Sequence, residues 1–194
     1  MAELQLDLSM TAILAMDYQQ AIVSMVPMAQ ERKVVQKAKA ALDGARKASV
    51  IVIHVVLQFR AGYPEVSSRN RMFSGLKEMG LFVAGNEDGI IDKSLGPEEG
   101  DILVTRPRVN AFYNSDLQSI LGSKGVDTVV LMGISTNWVV EGTARHAADA
   151  DYRVIVLEDC CAGISVEAHD ASIGNVLSQI GEVSTSEEFL ASLK

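Results

Sequence analysis

Short apolar runs rich in β-branched residues recur along this chain, and helical patterns fill the gaps between them. Thr11–Met16, Val50–Leu57, Val126–Met132 and Arg153–Leu157 have the make-up of strands buried on both faces. Asp101–Thr105 is a weaker fifth candidate and Glu182–Ser184 a sixth. Val34, Val35, Ala38, Ala41, Leu42 and Ala45 share one helical face after a break at Pro27. Leu117, Ile120 and Leu121 form a shorter stripe closed by Gly122 and Gly125. Val166, Ile173, Val176, Leu177 and Ile180 form another, with Ser165 as its cap. Strands alternating with helices predict βαβ units, hence a three-layer α/β fold with a mostly parallel sheet covered on both faces.

The 194 residues suit one domain spanning 1–194, large enough to bury a core without disulfides. Cys160 and Cys161 are the two cysteines and are adjacent, so no disulfide framework is expected. The net charge of −8 argues against a nucleic-acid surface and against an anionic membrane. No apolar run approaches the roughly 20 residues of a membrane span. The opening MAELQLDLSM carries acids where a secretory leader needs bases, so a cytoplasmic location is expected. Phe59 to Gly100 is long, Gly-rich and weakly patterned, and it holds Arg60, Arg69 and Arg71. Such an excursion is either a lid or binding loop, or a solvated surface segment.

Ligands of open parallel sheets sit outside the carboxyl ends of the strands. That rule selects Asp17, Tyr18 and Gln19 after the first strand, and Gln58, Phe59 and Arg60 after the second. It also selects Arg106, Pro107 and Arg108, then Gly133–Asn137, then Glu158–Cys161.

These blocks resemble the isochorismatase-like hydrolase superfamily, which includes nicotinamidases and N-carbamoylsarcosine amidohydrolase. ILAMDYQ, with Asp17 and Gln19, looks like that family's first strand and catalytic aspartate. TRPRVNAFYNSDL, from Thr105 to Leu117, looks like the segment carrying its catalytic lysine, six residues before Phe112. GISTNWVVEGTARHAADADY, from Gly133 to Tyr152, looks like the segment carrying its nucleophilic cysteine. VIVLEDCCAG followed by His169 looks like the last core strand and closing helix. The resemblance runs from Thr11 to about Phe189 and implies a six-stranded sheet, a homodimer or homotetramer, and a cis peptide at Ile134–Ser135.

Two departures shape what the resemblance implies. Val139 stands at the cysteine position and Arg106 at the lysine position. Valine is no nucleophile, and arginine keeps its proton, though it can clamp a carboxylate or stabilise developing negative charge. Some isochorismatase-like enzymes open a vinyl ether with the aspartate as general acid and water as the attacking group. Asp17 and Arg106 suit that chemistry, which needs one carboxyl of raised pKa. The expected function is therefore hydrolysis of a small carboxylate-bearing or cyclic molecule, with Thr136 as N-cap of a turn whose N–H groups form an anion pocket. Arg60, Arg69, Arg71 and Arg108 would add positive charge if they converge on Asp17. The alternative is a non-catalytic protein that keeps the pocket for ligand binding or assembly.

Other residues carry two readings. Tyr18, Phe59 and Phe112 are pocket walls or core packing. Trp138, the single tryptophan, is a pocket wall or an interface residue. Gln19, Arg60, Ser135 and Asn137 are candidate substrate contacts. Arg106 is a ligand clamp or only a salt-bridge partner of Asp17. Cys160 or Cys161 as a relocated nucleophile is a remote alternative to structural cysteines. His54, His146 and His169 do not form a metal-ligand pattern, so neither metal nor cofactor is expected.

Overall fold

All six apolar runs become strands in the computed structural model, which describes residues 4–193. The opening residues read for a leader, and the ends of the 1–194 span, lie partly outside the described residues. The strands are β1 (Thr11–Met16), β2 (Ile51–Leu57), β3 (Ile102–Arg106), β4 (Thr128–Gly133), β5 (Arg153–Leu157) and β6 (Glu182–Ser184). Their order across the sheet is β3-β2-β1-β4-β5-β6, and every pairing is parallel. β1 and β4 are buried along their whole length. That explains their unbroken apolar runs, since a central parallel strand meets core on both faces.

β3 runs one residue later than expected at both ends, and β2 and β4 begin later than their apolar runs because the preceding helix takes their first residues. Val50 donates its N–H to Ala45 O (2.9 Å) and Val126 donates to Leu121 O (3.1 Å). The helices are α1 (Gln20–Met25), α2 (Pro27–Glu31), α3 (Val34–Lys47), α4 (Arg71–Glu78), α5 (Leu117–Lys124), α6 (Glu141–Asp149), α7 (Val166–Ser172), α8 (Ser178–Ile180) and α9 (Ser186–Ala191). α3 buries Val34, Ala38, Ala41, Leu42 and Ala45 and packs on β1, β2 and α9. α6 packs on β5 and α8, so helices flank the sheet.

Some helix signals land differently from expectation. Pro27 starts α2 at its first position, where a missing N–H does no harm. Gly122 lies inside α5, and the stop is Gly125 alone, at φ 67°. Ser165 does cap α7, its side chain accepting from Ala168 N (3.2 Å). Val166, just inside that cap, is exposed rather than part of the buried stripe. The Phe59–Gly100 excursion is not a bare solvated segment. It holds α4, capped by the Asn70 side chain accepting from Phe73 N (3.1 Å), and it packs Phe59, Tyr63, Phe73 and Phe82 into a small core with Leu57 of β2.

No helix among the described residues is long and apolar enough to cross a membrane.

The sheet closes most tightly where β1 and β4 end. A Cβ on Gly133 would lie 2.4 Å from Met16 O and 3.0 Å from Met16 Cβ. Both obstacles belong to the neighbouring strand, so the sheet itself would have to shift. Gly133→Ala is expected to destabilise the fold by about 2 kcal/mol, lowering Tm by ~4–8 °C. A thermal melt within 1 °C of the parent would contradict that.

Candidate active site

β1 and β4 are neighbours in the sheet, but their connections depart to opposite sides, which opens a crevice at their carboxyl ends. Met16 and Gly133 are the last paired residues, and Ile134 N–H then donates to Met16 O (3.1 Å). β1 thus delivers Asp17 and β4 delivers Ser135 to the same place. β3 ends on Arg106, paired with Leu57 of β2, and brings in a cation. A cavity of about 260 Å³ lies there, with Asp17, Arg106 and Ser135 as its polar lining.

Asp17 has φ 58°, in the left-handed region that aspartate tolerates better than most residues, and its N–H donates to Val55 O (2.9 Å). Its side chain is nearly buried, and Oδ2 accepts from a terminal nitrogen of Arg106. Arg106 is 2% exposed, and its other terminal nitrogen donates to Arg108 O. Among the described residues, Asp17 Oδ1, Arg106 Nε and Ser135 Oγ have no hydrogen-bond partner. Burial pushes the Asp17 carboxyl above its ordinary value, and the Arg106 charge opposes that rise without cancelling it. Asp17 is therefore a carboxyl with one occupied oxygen, one free oxygen and a raised affinity for a proton.

The wall opposite is the turn after β4. The Ile134–Ser135 peptide is cis, and Thr136–Val140 forms a π-turn leading into α6. Val139 is buried and lines the cavity beside Ile134 and Trp138. Thr136 is not the N-cap. Its N–H donates to Ala162 O (2.9 Å), and its hydroxyl lies 2.7 Å from His169 Nδ1. His169 Nε2 lies 2.6 Å from Arg32 Nη1, and Arg32 Nη2 donates to Glu158 Oε2 (2.7 Å). A chain of side chains from the residue after α2, the end of β5 and α7 therefore holds the turn in place.

That chain has a pH signature. The His169 ring and the Arg32 guanidinium beside Glu158 hold its carboxyl down to about 2, from an ordinary 4.5. A folded value below the unfolded one means that the ionised form favours folding. The contribution is present above pH 4.5 and is lost as pH falls towards 2. Glu158→Gln is expected to flatten the fall in Tm across that window. Equal slopes in parent and variant would contradict the assignment.

The two cysteines lie elsewhere. Both are buried, and Cys161 Sγ lies 3.3 Å from Leu157 O. Neither lines the cavity. Burial pushes the Cys161 thiol up to about 12 and that of Cys160 higher still. Thiols so disfavoured as thiolates are not nucleophiles, so relocation of the reactive cysteine to this pair is not supported.

Several residues expected at the pocket are structural. Tyr18 donates its hydroxyl to Cys160 O (2.6 Å). Gln19 donates to Leu57 O (3.0 Å) and Gly89 O (3.1 Å) and accepts from Leu57 N (2.8 Å), tying the ends of β1 and β2 together. Phe112 stacks on His146 at 4.4 Å. Asn137 is half-buried, outside the cavity lining, with Oδ1 unpartnered. Phe59 and Arg60 line a neighbouring cleft that shares Arg106 with the cavity.

The expected cluster of arginines does not form. Arg60 is exposed and pairs with Glu65. Arg108 donates to Pro107 O (2.5 Å) and Glu65 O (2.8 Å) over the Phe73 ring. Arg69 and Arg71 are exposed. The histidines are also separate: His54 faces Asp101, His146 faces Asn110, and His169 faces Thr136. Among the described residues no group of His, Cys, Asp and Glu could hold a metal ion.

Most of the cavity wall comes from residues that sequence reasoning missed. Ile22, Met25 and Val26 come from α1 and its end, and Met72, Phe73 and Leu76 come from α4. The signal was present in their helical spacing, which puts each set of three on one face.

Compared with known proteins, residues 11–188 match the Isochorismatase domain. The chain belongs to the isochorismatase family. It is 33% identical over its full length to the uncharacterized isochorismatase family protein YwoC of Bacillus subtilis, which is also covered completely. It is 31% identical to a ureidoacrylate amidohydrolase, RutB, of Stutzerimonas stutzeri, over 95% of this chain and 83% of that one. Among solved structures, a cysteine hydrolase from Pseudomonas syringae superposes with a TM-score of 0.87 at 22% identity, covering 98% and 95% of the two chains. N-carbamoylsarcosine amidase from Thermoplasma acidophilum superposes with a TM-score of 0.75 at 25% identity, covering 91% and 96%. The isochorismatase fold, with its six parallel strands flanked by helices, is thus this chain's fold.

Proposed function

We propose that this isochorismatase-family protein hydrolyses a small cyclic or planar molecule with Asp17 as proton donor and water as nucleophile, without a thiol. The observation that carries the reading is a buried carboxyl with one free oxygen, facing a cavity that neither cysteine lines. In a vinyl ether Asp17 Oδ1 protonates the terminal alkene carbon, leaving an oxocarbenium carbon whose water adduct, a hemiketal, collapses to an alcohol and a carbonyl compound. At a C–N bond it protonates the leaving nitrogen. Water adds to the electron-poor carbon and returns its proton to the carboxylate, which closes the cycle.

Arg106 pairs with the carboxylate left once Asp17 has given up its proton and stabilises negative charge developing near it. Trp138 and Val140 already donate their N–H groups to Ser135 O, so an anion pocket in this turn falls to Asn137 and Val139 N–H. Val139 would occupy the place of the family's cysteine. Amide hydrolysis is the activity named for the related ureidoacrylate and maleamate amidohydrolases. In this reading the protein works in the cytoplasm as a homodimer or homotetramer.

The test is a turnover screen over vinyl ethers, amides, ureas and carbamates. Turnover that survives iodoacetamide and is abolished in Asp17→Asn is expected. Turnover lost to iodoacetamide and protected by substrate would overturn the thiol-free route. A complete lack of turnover would favour a binding protein.

A further inference from the structure

The apolar surface of the cavity continues out to the molecular surface. Its inner lining is buried, with Val139 and Phe82 at the back and Phe73 towards the front. At the mouth stand four large apolar side chains from four separate segments. They are Met25 at the end of α1, Met72 in α4, Trp138 in the π-turn and Ile164 before α7. All four are open to water, Ile164 at 62%, Met25 at 56%, Trp138 at 43% and Met72 at 37%. Scattered apolar side chains on a surface need no explanation, but a contiguous set that extends a cavity outward marks a binding groove. The charged residues of the lining, Asp17 and Arg106, are buried and bonded to each other, so the mouth itself carries no charge.

We infer that the molecule hydrolysed here carries an alkyl or acyl tail that leaves the cavity and lies across Met25, Met72, Trp138 and Ile164. This deepens the proposed function and rests on the cavity being its substrate site. The cavity, about 260 Å³, lies just below the roughly 300–1,000 Å³ common for small-molecule sites, so a reacting head fills it and a tail runs outside. Each tail carbon laid on the rim takes apolar surface out of water on both sides of the contact. Two of the four rim residues are methionines, whose unbranched side chains adapt to a flexible chain. The rim offers on the order of a few hundred Å² of open surface, well short of the ~800 Å² that each partner brings to a stable dimer. That favours a small-molecule tail over a second copy of the chain as the occupant.

Trp138 is the single tryptophan, so its fluorescence reads the rim directly. The protein is titrated with 1-butanol, 1-hexanol, 1-octanol and 1-decanol. The longer alcohols are expected to move Trp138 emission to the blue and to shield it from acrylamide. Affinity is expected to rise about fourfold per methylene within the cavity and about twofold per methylene on the rim, where each carbon is half covered. Ile164→Ser and, separately, Met25→Ser remove open side chains that lie outside the core. Each is expected to weaken 1-octanol binding by about threefold or more and to leave 1-butanol binding unchanged. Affinity that stops rising before 1-octanol, equal losses for 1-butanol and 1-octanol in both variants, 1-octanol binding unmoved by either, or no saturable change at all would each overturn the inference. So would a dimer in sedimentation velocity that both substitutions split into monomers, since a second copy would then cover the rim. Binding is read without turnover, so its failure leaves the proposed role of Asp17 standing. Conversely, turnover that persists in Asp17→Asn removes that role and leaves the binding result in place.

Discussion

Asp17→Asn is expected to lower turnover by ~10²–10⁴-fold while leaving the fold nearly unchanged. Asparagine has the same shape and can still accept from Arg106 through its carbonyl oxygen. It cannot carry a proton, so the loss belongs in kcat rather than KM. A structural role alone predicts a different pattern, in which stability falls and activity per folded molecule is kept. Comparing kcat with the melting temperature of the same preparation separates the two. Unchanged kcat in a well-folded variant would remove Asp17 from the chemistry.

Removing its partner is expected to have the largest effect on stability. Arg106→Leu leaves the Asp17 carboxylate buried without the cation that pairs with it. Breaking a buried pair from one side costs about 3–5 kcal/mol, because a charge is left without compensation. For a chain of this size that lowers Tm by roughly 6–20 °C. The Asp17 carboxyl should also titrate higher still, since the Arg106 charge is the main influence opposing burial. Adding Asp17→Asn to Arg106→Leu removes the stranded charge. The double variant is therefore expected to melt above the Arg106→Leu single variant. Two losses that simply add would show that the pair is not energetically coupled.

Much of the fold was legible from apolar runs, because a parallel strand buried on both faces has little freedom in its composition. β1, β5 and β6 coincide with their runs residue for residue. The starts of β2 and β4 shifted where a backbone hydrogen bond closed the preceding helix, at Val50 and Val126, while β3 slid by one residue and β4 ran on to Gly133. Within the site, strand-end position is enough to place Asp17, Arg106 and Ser135 around one cavity.

The same rule misplaced their neighbours. Successive residues after a strand point different ways, so Tyr18 and Gln19 turned into the core to bond Cys160 and Leu57 while Asp17 faced the cavity. The charge of the pocket was not legible either. Arginine count says nothing of where each guanidinium finds an acceptor, and Glu65 with its own carbonyl captured two of them. The apolar wall escaped notice because α4 lies in a segment whose polar, Gly-rich composition hid a short amphipathic helix.

The most direct test of thiol-free catalysis by Asp17 is the pH dependence of kcat for a compound that the turnover screen returns. A general acid works only while protonated, so activity must fall as pH rises through its pKa. Burial holds that pKa above the ordinary 3.8. The account predicts a descending limb with its midpoint above that value, moved further up in Arg106→Leu and missing from the residual activity of Asp17→Asn. A rate that climbs with pH through the thiol range, or a descending limb that Asp17→Asn leaves in place, would contradict it.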